Sequence, residues 1–288
     1  MTGAIIESVI GIVVDSNSQM SSELATRLGV TVVPLTVRVD GTDFREGLDL
    51  DADTFYEYWT PDGAPKITTS QPSPGAFIEA YEHLVAAGST QILSVHMGAA
   101  LSGTLNSARI ASSAAPVPVR LVDTSTASFG VTCCAWAAVD AIADGATVEE
   151  AARVAERRAA RLATAFIVGI PELVDRSGRV AGIDVGAATA GGVAVIGGRG
   201  GDLGVLSAVR TIDESVAAMV DYALAQEPTS PCGLRVAIGT SDTSSFAVGR
   251  ALTEQLSARS EVADVVQYRV GPSVGAYTGP GTAGLFVF

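Results

Sequence analysis

Two hydroxyl-rich segments carry residue types and spacings that can do chemistry. "KITTSQPSPGAF" gathers Thr68, Thr69, Ser70 and Ser73 just before a helix with Pro74 near its start. "GAALSGTLNSA" places Ser102, Gly103 and Thr104 where another helix begins. A helix N-terminus collects free backbone N–H groups and the positive end of the helix dipole, so it receives a carboxylate or a phosphate. Each segment alone also reads as an ordinary N-cap, because Ser and Thr are preferred there. Their joint occurrence on the loops of one sheet favours a binding site for an anionic head group.

Other chemistries fail on the residues they require. Lys66 is the single lysine, and it lies between Pro65 and Ile67, so there is no Gly-Lys-Ser/Thr nucleotide loop. "GPSVG", Gly271 to Gly275, fits the G-x-S-x-G of a serine hydrolase elbow, which needs a strand before it, a helix after it and a later histidine. Glycine and proline follow instead, and His83 and His96 both lie upstream, so a turn is expected. "GGRGGDLG" reads as a hairpin turn and not as a dinucleotide fingerprint. The histidines do not cluster with Cys133, Cys134 or Cys232, which argues against structural zinc. Cys133 and Cys134 are adjacent, closer than ordinary disulfide geometry allows, and reduced thiols in a cytoplasmic protein are expected. No catalytic residue, metal ligand or cofactor is assigned.

The elements that must position the hydroxyls come from alternating patterns. "IGIVVDS" reads as a buried strand and "SSELATRLGV" as a helix closed by Gly29. "VTVVPLTVRVDGTDFRE" reads as a strand, an Asp40-Gly41 turn and a return strand, and "DADTFYEYW" as a short helix. Helices and strands then alternate through "PSPGAFIEAYEHLVAAG", "TQILSVHM", "LSGTLNSARIASSAA" and "VPVRLVDT", which predicts a parallel sheet covered on both faces. Functional loops of such sheets lie at the carboxyl ends of the strands. Those loops are Asp15 to Asn17, Met97 to Gly103 and Asp123 to Ser128. The apolar stretch 127–145 carries Asp140 and small residues, and reads as a helix buried in a soluble domain. The later half mixes a hairpin with helices, so it reads as a second α/β domain with a mixed sheet. The expected division is residues 1–165 and 166–288. The glycine-rich run from Gly271 ends in "LFVF", a terminal strand.

Charge narrows the partners. Lys plus Arg number 18 and Asp plus Glu 31, a net −13, which argues against nucleic acid and against anionic membrane surfaces. With 48% apolar residues, 288 residues can bury two cores. The N-terminus shows no signal-peptide pattern. Neither stable membrane insertion nor nucleic acid binding is expected.

"VVDSNSQM", "VVPLTVRVDGTDFREG", "TSQPSPGAFIEAYEHL", "LSGTLNSARIAS", "VDTSTASFG" and "GPSVGAYTGPGTAGLFVF" resemble, in order, the successive signatures of the DegV family. The resemblance implies two α/β domains and one long-chain fatty acid bound in an apolar tunnel. It also implies a non-catalytic carrier, which presents the carboxylate to the separate ATP-binding subunit of a bacterial fatty acid kinase for acyl phosphate formation. The matching head-group residues are Thr69, Ser102, Arg179 of "DRSGRVAG" and Tyr277, with Ser70, Gly103, Thr278 and Gly279 on the surrounding loops. The family's final loop reads His-Thr-Gly-Pro-Gly, and this chain has Tyr277 in place of the histidine. A phenol donates a hydrogen bond as a histidine does, but it does not shuttle protons near neutral pH. Gly98, Ala99 and Ala100 also stand where serines are common. The alternative is a phosphotransferase related to the dihydroxyacetone kinase substrate domain. That enzyme holds its substrate on a histidine, and neither His83 nor His96 has the matching context.

Overall fold

The computed structural model describes residues 9–61, 63–179, 183–189, 191–228 and 232–288. The chain opens with β1 (Ile10–Asp15), α1 (Ser22–Leu28), β2 (Val30–Val33), β3 (Thr36–Val39), β4 (Thr42–Arg45) and α2 (Ala52–Glu57). It continues with β5 (Ile67–Ser70), α3 (Pro74–Ala86), β6 (Gln91–His96), α4 (Thr104–Ser112), β7 (Val119–Asp123), α5 (Phe129–Ala143) and α6 (Val148–Arg161). Local chemistry sets many of the ends. Ser21 accepts from Leu24 N at the start of α1, and Gly29 closes that helix at φ +64°. Thr147 and Glu150 form a capping box on α6.

Strands β2-β1-β6-β7 form a parallel sheet in that order. Its two faces alternate along the chain. Ile12 and Val14 turn toward α5 and α6, whereas Val13 turns toward Phe77 and Tyr81 of α3 and Ala108 of α4. This is the expected three-layer α/β/α arrangement.

The segment expected as one strand before the Asp40-Gly41 turn is two strands in two sheets. Pro34 has no N–H to continue a ladder, and Leu35 N donates instead to Ser16 Oγ at 2.9 Å. β3 then joins a separate antiparallel sheet ordered β4-β3-β5. The Asp40-Gly41 turn is as expected, with φ of +48° and +90°. Residues 67–70, expected as a loop, pair with β3 as β5, so Thr69 lies opposite Val37. The β-branched Ile67, Thr68 and Thr69 suit that ladder.

The second half contains β8 (Ala163–Ile167), α7 (Pro171–Ser177), α8 (Val185–Ala188), β9 (Val193–Arg199), β10 (Asp202–Val209) and α9 (Ile212–Leu224). It ends with β11 (Leu234–Thr240), α10 (Phe246–Ser257), β12 (Val262–Arg269), α11 (Pro272–Thr278) and β13 (Ala283–Val287). Its mixed sheet runs β10-β9-β8-β13-β11-β12, and only β11 and β12 pair in parallel. Helices α9 and α10 cover one face through Met219, Val220 and Leu252. The other face reaches α5 through Ala237 and Phe286. Helix α5 therefore packs between the two sheets, which is why 127–145 is so apolar. No helix among the described residues is long and apolar enough to cross a membrane.

Helix α11 stands where the sequence suggested a turn. Pro272 occupies its first turn, which needs no N–H there. It lies so close to α2 that a Cβ on Gly275 would sit 2.4 Å from Tyr56 Oη. That contact ties the small sheet and α2 to the second half of the chain.

Candidate functional site

A cavity of about 740 Å³ opens where the carboxyl ends of β1, β6 and β7 meet β5, α11 and the second sheet. That size is within the usual range for small-molecule sites. Leu162, Phe166, Val174, Leu203, Leu285 and Phe286 give it an apolar wall.

Of the four residues expected at the head group, Thr69, Tyr277 and Arg179 touch in turn, and Arg179 reaches the residue before Ser102. Thr69 Oγ1 and Tyr277 Oη share a short hydrogen bond. The Arg179 guanidinium stacks on the Tyr277 ring, 3.8 Å from its centroid. Arg179 Nε donates to Leu101 O at 3.1 Å, directly before Ser102. Ser102 Oγ is hydrogen-bonded with Thr104 Oγ1 at 2.9 Å and accepts from Thr104 N at 3.2 Å. All four line the cavity and are half-buried. Arg179 is the cationic side chain lining it among the described residues.

Of the surrounding positions, Gly103 and Thr278 line the cavity and Ser70 and Gly279 do not. Ser70 follows Thr69 on a strand, so its side chain turns to the opposite face and is exposed. Gly279 ends α11 at φ +74°, with its missing Cβ facing Ile170 rather than the cavity. The close approach at this point is to the protein's own α7 segment.

The expected loops after β1 and β7 bring Asn17, Ser125 and Ser128 to the cavity, whereas Ser273 and Glu46 gave no sign of a place at the site in the sequence. Asn17 and Ser273 line the cavity and are joined by an Asn17 Nδ2 to Ser273 Oγ bond of 3.1 Å. Asn17 Oδ1 accepts from Ser128 N at 2.9 Å. Glu46 is buried beneath them. It accepts from Ser273 N at 2.7 Å and from Ser16 Oγ at 2.5 Å. Burial pushes its carboxyl above the usual range, against the pull of these bonds. Ser125 and Ser128, on the loop after β7, both have positive φ, +51° and +58°. Such backbone is costly for a side-chain-bearing residue and is held by its surroundings. Only spatial contact, across up to 256 residues, brings this group together.

The G-x-S-x-G segment has the strand and the helix that its pattern requires, β12 and α11, contrary to the expected turn. It fails as an elbow because Ser273 Oγ meets Asn17 and Gln19, and no histidine. A triad-like row exists elsewhere. Ser94 Oγ is 2.6 Å from His96 Nε2, and His96 Nδ1 is 3.0 Å from Asp15 Oδ2. All three are sealed at 0% exposure and none lines the cavity. Asp15 instead accepts from Asn17 N and Met97 N, holding the loops after β1 and β6. His83 is exposed on α3.

Comparison with known proteins agrees with this architecture. The family described as "Uncharacterised protein, DegV family" matches residues 9–288. The DegV domain-containing protein SCO2569 of Streptomyces coelicolor is 32% identical over 281 residues, which is 96% of this chain and 98% of the relative. A DegV family protein from Thermus thermophilus, whose structure describes fatty acid binding, aligns with a TM-score of 0.86 at 28% identity, covering 97% of this chain and 99% of its own. DegV of Bacillus subtilis, a fatty acid binding protein, shares the fold with a TM-score of 0.81 at 20% identity, over 98% and 100% of the two chains. The match along nearly its whole length, on the same two-domain fold, shows that this chain belongs to the DegV family.

Proposed function

We propose that the protein is a carrier that binds one long-chain fatty acid in the cavity between its two halves. The observation that carries this reading is the convergence of Thr69, Ser102, Arg179 and Tyr277 on one half-buried end of an apolar-walled cavity. The fatty acid binding of the Thermus thermophilus relative supports it. Each buried methylene contributes about 0.8 kcal/mol, so a long acyl chain has ample driving force in such a cavity. A carboxylate is expensive to bury without donors, and the two hydroxyls with the guanidinium meet that need.

The half-buried head group is within reach of a second protein, which suits presentation to an ATP-binding kinase subunit. There a carboxylate oxygen would attack the γ-phosphorus of ATP, giving the acyl phosphate and ADP. Mass spectrometry of an organic extract of purified protein tests the binding step. A fatty acid at near-equal stoichiometry is expected; no acyl chain in the extract and no uptake of added palmitate would refute it. Incubation with ATP and such a subunit tests the second step, with acyl phosphate as the expected product.

A further inference from the structure

Thr69 and Tyr277 lie 208 residues apart, on β5 and α11, and meet through a hydrogen bond in which either hydroxyl can be the donor. A carboxylate is an acceptor only, and Thr69 has one hydroxyl proton. To hold the ligand, Thr69 must give that proton to it. The bond to Tyr277 then survives in one direction only, from the phenol O–H to Thr69 Oγ1. The ring is held for this role: Arg179 lies over its face and is tied by Nε to Leu101 O.

We propose that Tyr277 is a positioning residue that acts through Thr69. It donates to Thr69 Oγ1, turns the Thr69 proton toward the ligand carboxylate, and does not touch the carboxylate itself. Two hydrogen bonds in a row polarise each other, so the arrangement strengthens the Thr69 contact as well as aiming it. The inference rests on the fatty acid reading and gives Tyr277 an indirect role, orienting the head group through Thr69 rather than by contact.

A double-mutant cycle on palmitate affinity, measured by calorimetry on the full chain, tests it. Tyr277→Phe keeps the ring beneath Arg179 and is expected to weaken binding roughly three- to tenfold. In a Thr69→Val background the same substitution should change affinity less than about twofold, because its target hydroxyl is gone. In a Thr69→Ser background its full effect should return. An equal loss in all three backgrounds, or no loss in the wild type, overturns the relay. If Tyr277→Phe melts early, 3-fluorotyrosine at position 277 preserves the shape and makes the phenol a stronger donor. Tighter binding is then expected, and weaker binding overturns the assigned direction. Wild-type protein that takes up no palmitate overturns the fatty acid reading itself. Normal wild-type uptake with an independent effect at Tyr277 overturns only the relay.

Discussion

Two polar clusters in this molecule use the same kinds of groups to opposite ends. Tyr81, Ser94, His96 and Asp15 form a hydrogen-bonded row from α3 into the first sheet, closed off from solvent. Thr69, Tyr277, Arg179 and Ser102 form a second row on the cavity wall, half-buried. The first has the order of a hydrolase triad, yet nothing can reach it, and its bonds end on the backbone of two loops. The second has no catalytic order, but it offers hydroxyls and a cation to a space with an apolar wall. Access decides the role, and residue type alone does not.

Five substitutions test this division. The largest effect is expected at His96. His96→Leu leaves Asp15 buried without its ring partner and should cost about 3 kcal/mol of unfolding free energy, read by urea denaturation. The affinity of the folded fraction for palmitate should change little. A variant that denatures normally but no longer binds would erase the division between the two clusters.

Next come Thr69→Val and Ser102→Ala. On the proposed reading each removes a hydrogen bond to the carboxylate, worth about 1.5–3 kcal/mol, and should weaken binding roughly ten- to a hundredfold. Stability should move by less than about 1 kcal/mol, since neither side chain is deeply buried. Unchanged palmitate titrations for both would place the head group elsewhere.

Glu46 tests the ground beneath the site. Its carboxyl is raised above the ordinary value by burial, so the fold favours the protonated form. That contribution is present below the usual glutamate range and is lost as pH rises through the folded value. Glu46→Gln does not titrate and keeps an acceptor for Ser273 N. Its stability relative to wild type should therefore improve from pH 4 toward neutrality. Parallel stability-against-pH profiles across that range would mean that burial leaves the Glu46 carboxyl at its unfolded value. The smallest effect belongs to Ser70→Ala, expected within about 0.5 kcal/mol in stability and unchanged in binding. A loss of affinity there would return Ser70 to the head-group site.

Much of this was legible because short-range chemistry decided it. The alternation of strands and helices, the Gly29 and Asp40-Gly41 turns and the buried helix 129–143 follow from local pattern. Thr69 and Ser102 were visible as hydroxyls beside predicted helix starts, and Arg179 and Tyr277 through family resemblance. What stayed hidden depended on distant partners. β5 exists because β3 offers it a ladder, and Pro34 moves β3 into another sheet. Helix α11 was masked by its glycines, one of which is there to let Tyr56 approach. Glu46 carries no local signal of burial, because nothing nearby in sequence announces Ser273. Ser70 lies off the cavity for a simpler reason: on a strand, neighbouring side chains face opposite ways.

One feature of the second sheet bears on how the protein is made. β13 lies between β8 and β11, although every other strand of that sheet precedes it in the chain. During synthesis the β8-β9-β10 meander and the β11-β12 pair must wait as separate pieces, each with an unpaired edge open to wrong partners. The first sheet has no such dependence and can close early. Ala283 to Phe286 also line the cavity, so the cavity is completed only when the two halves of the sheet are stitched together. A nascent chain halted before residue 283 should therefore contain a folded first sheet and no place for a lipid.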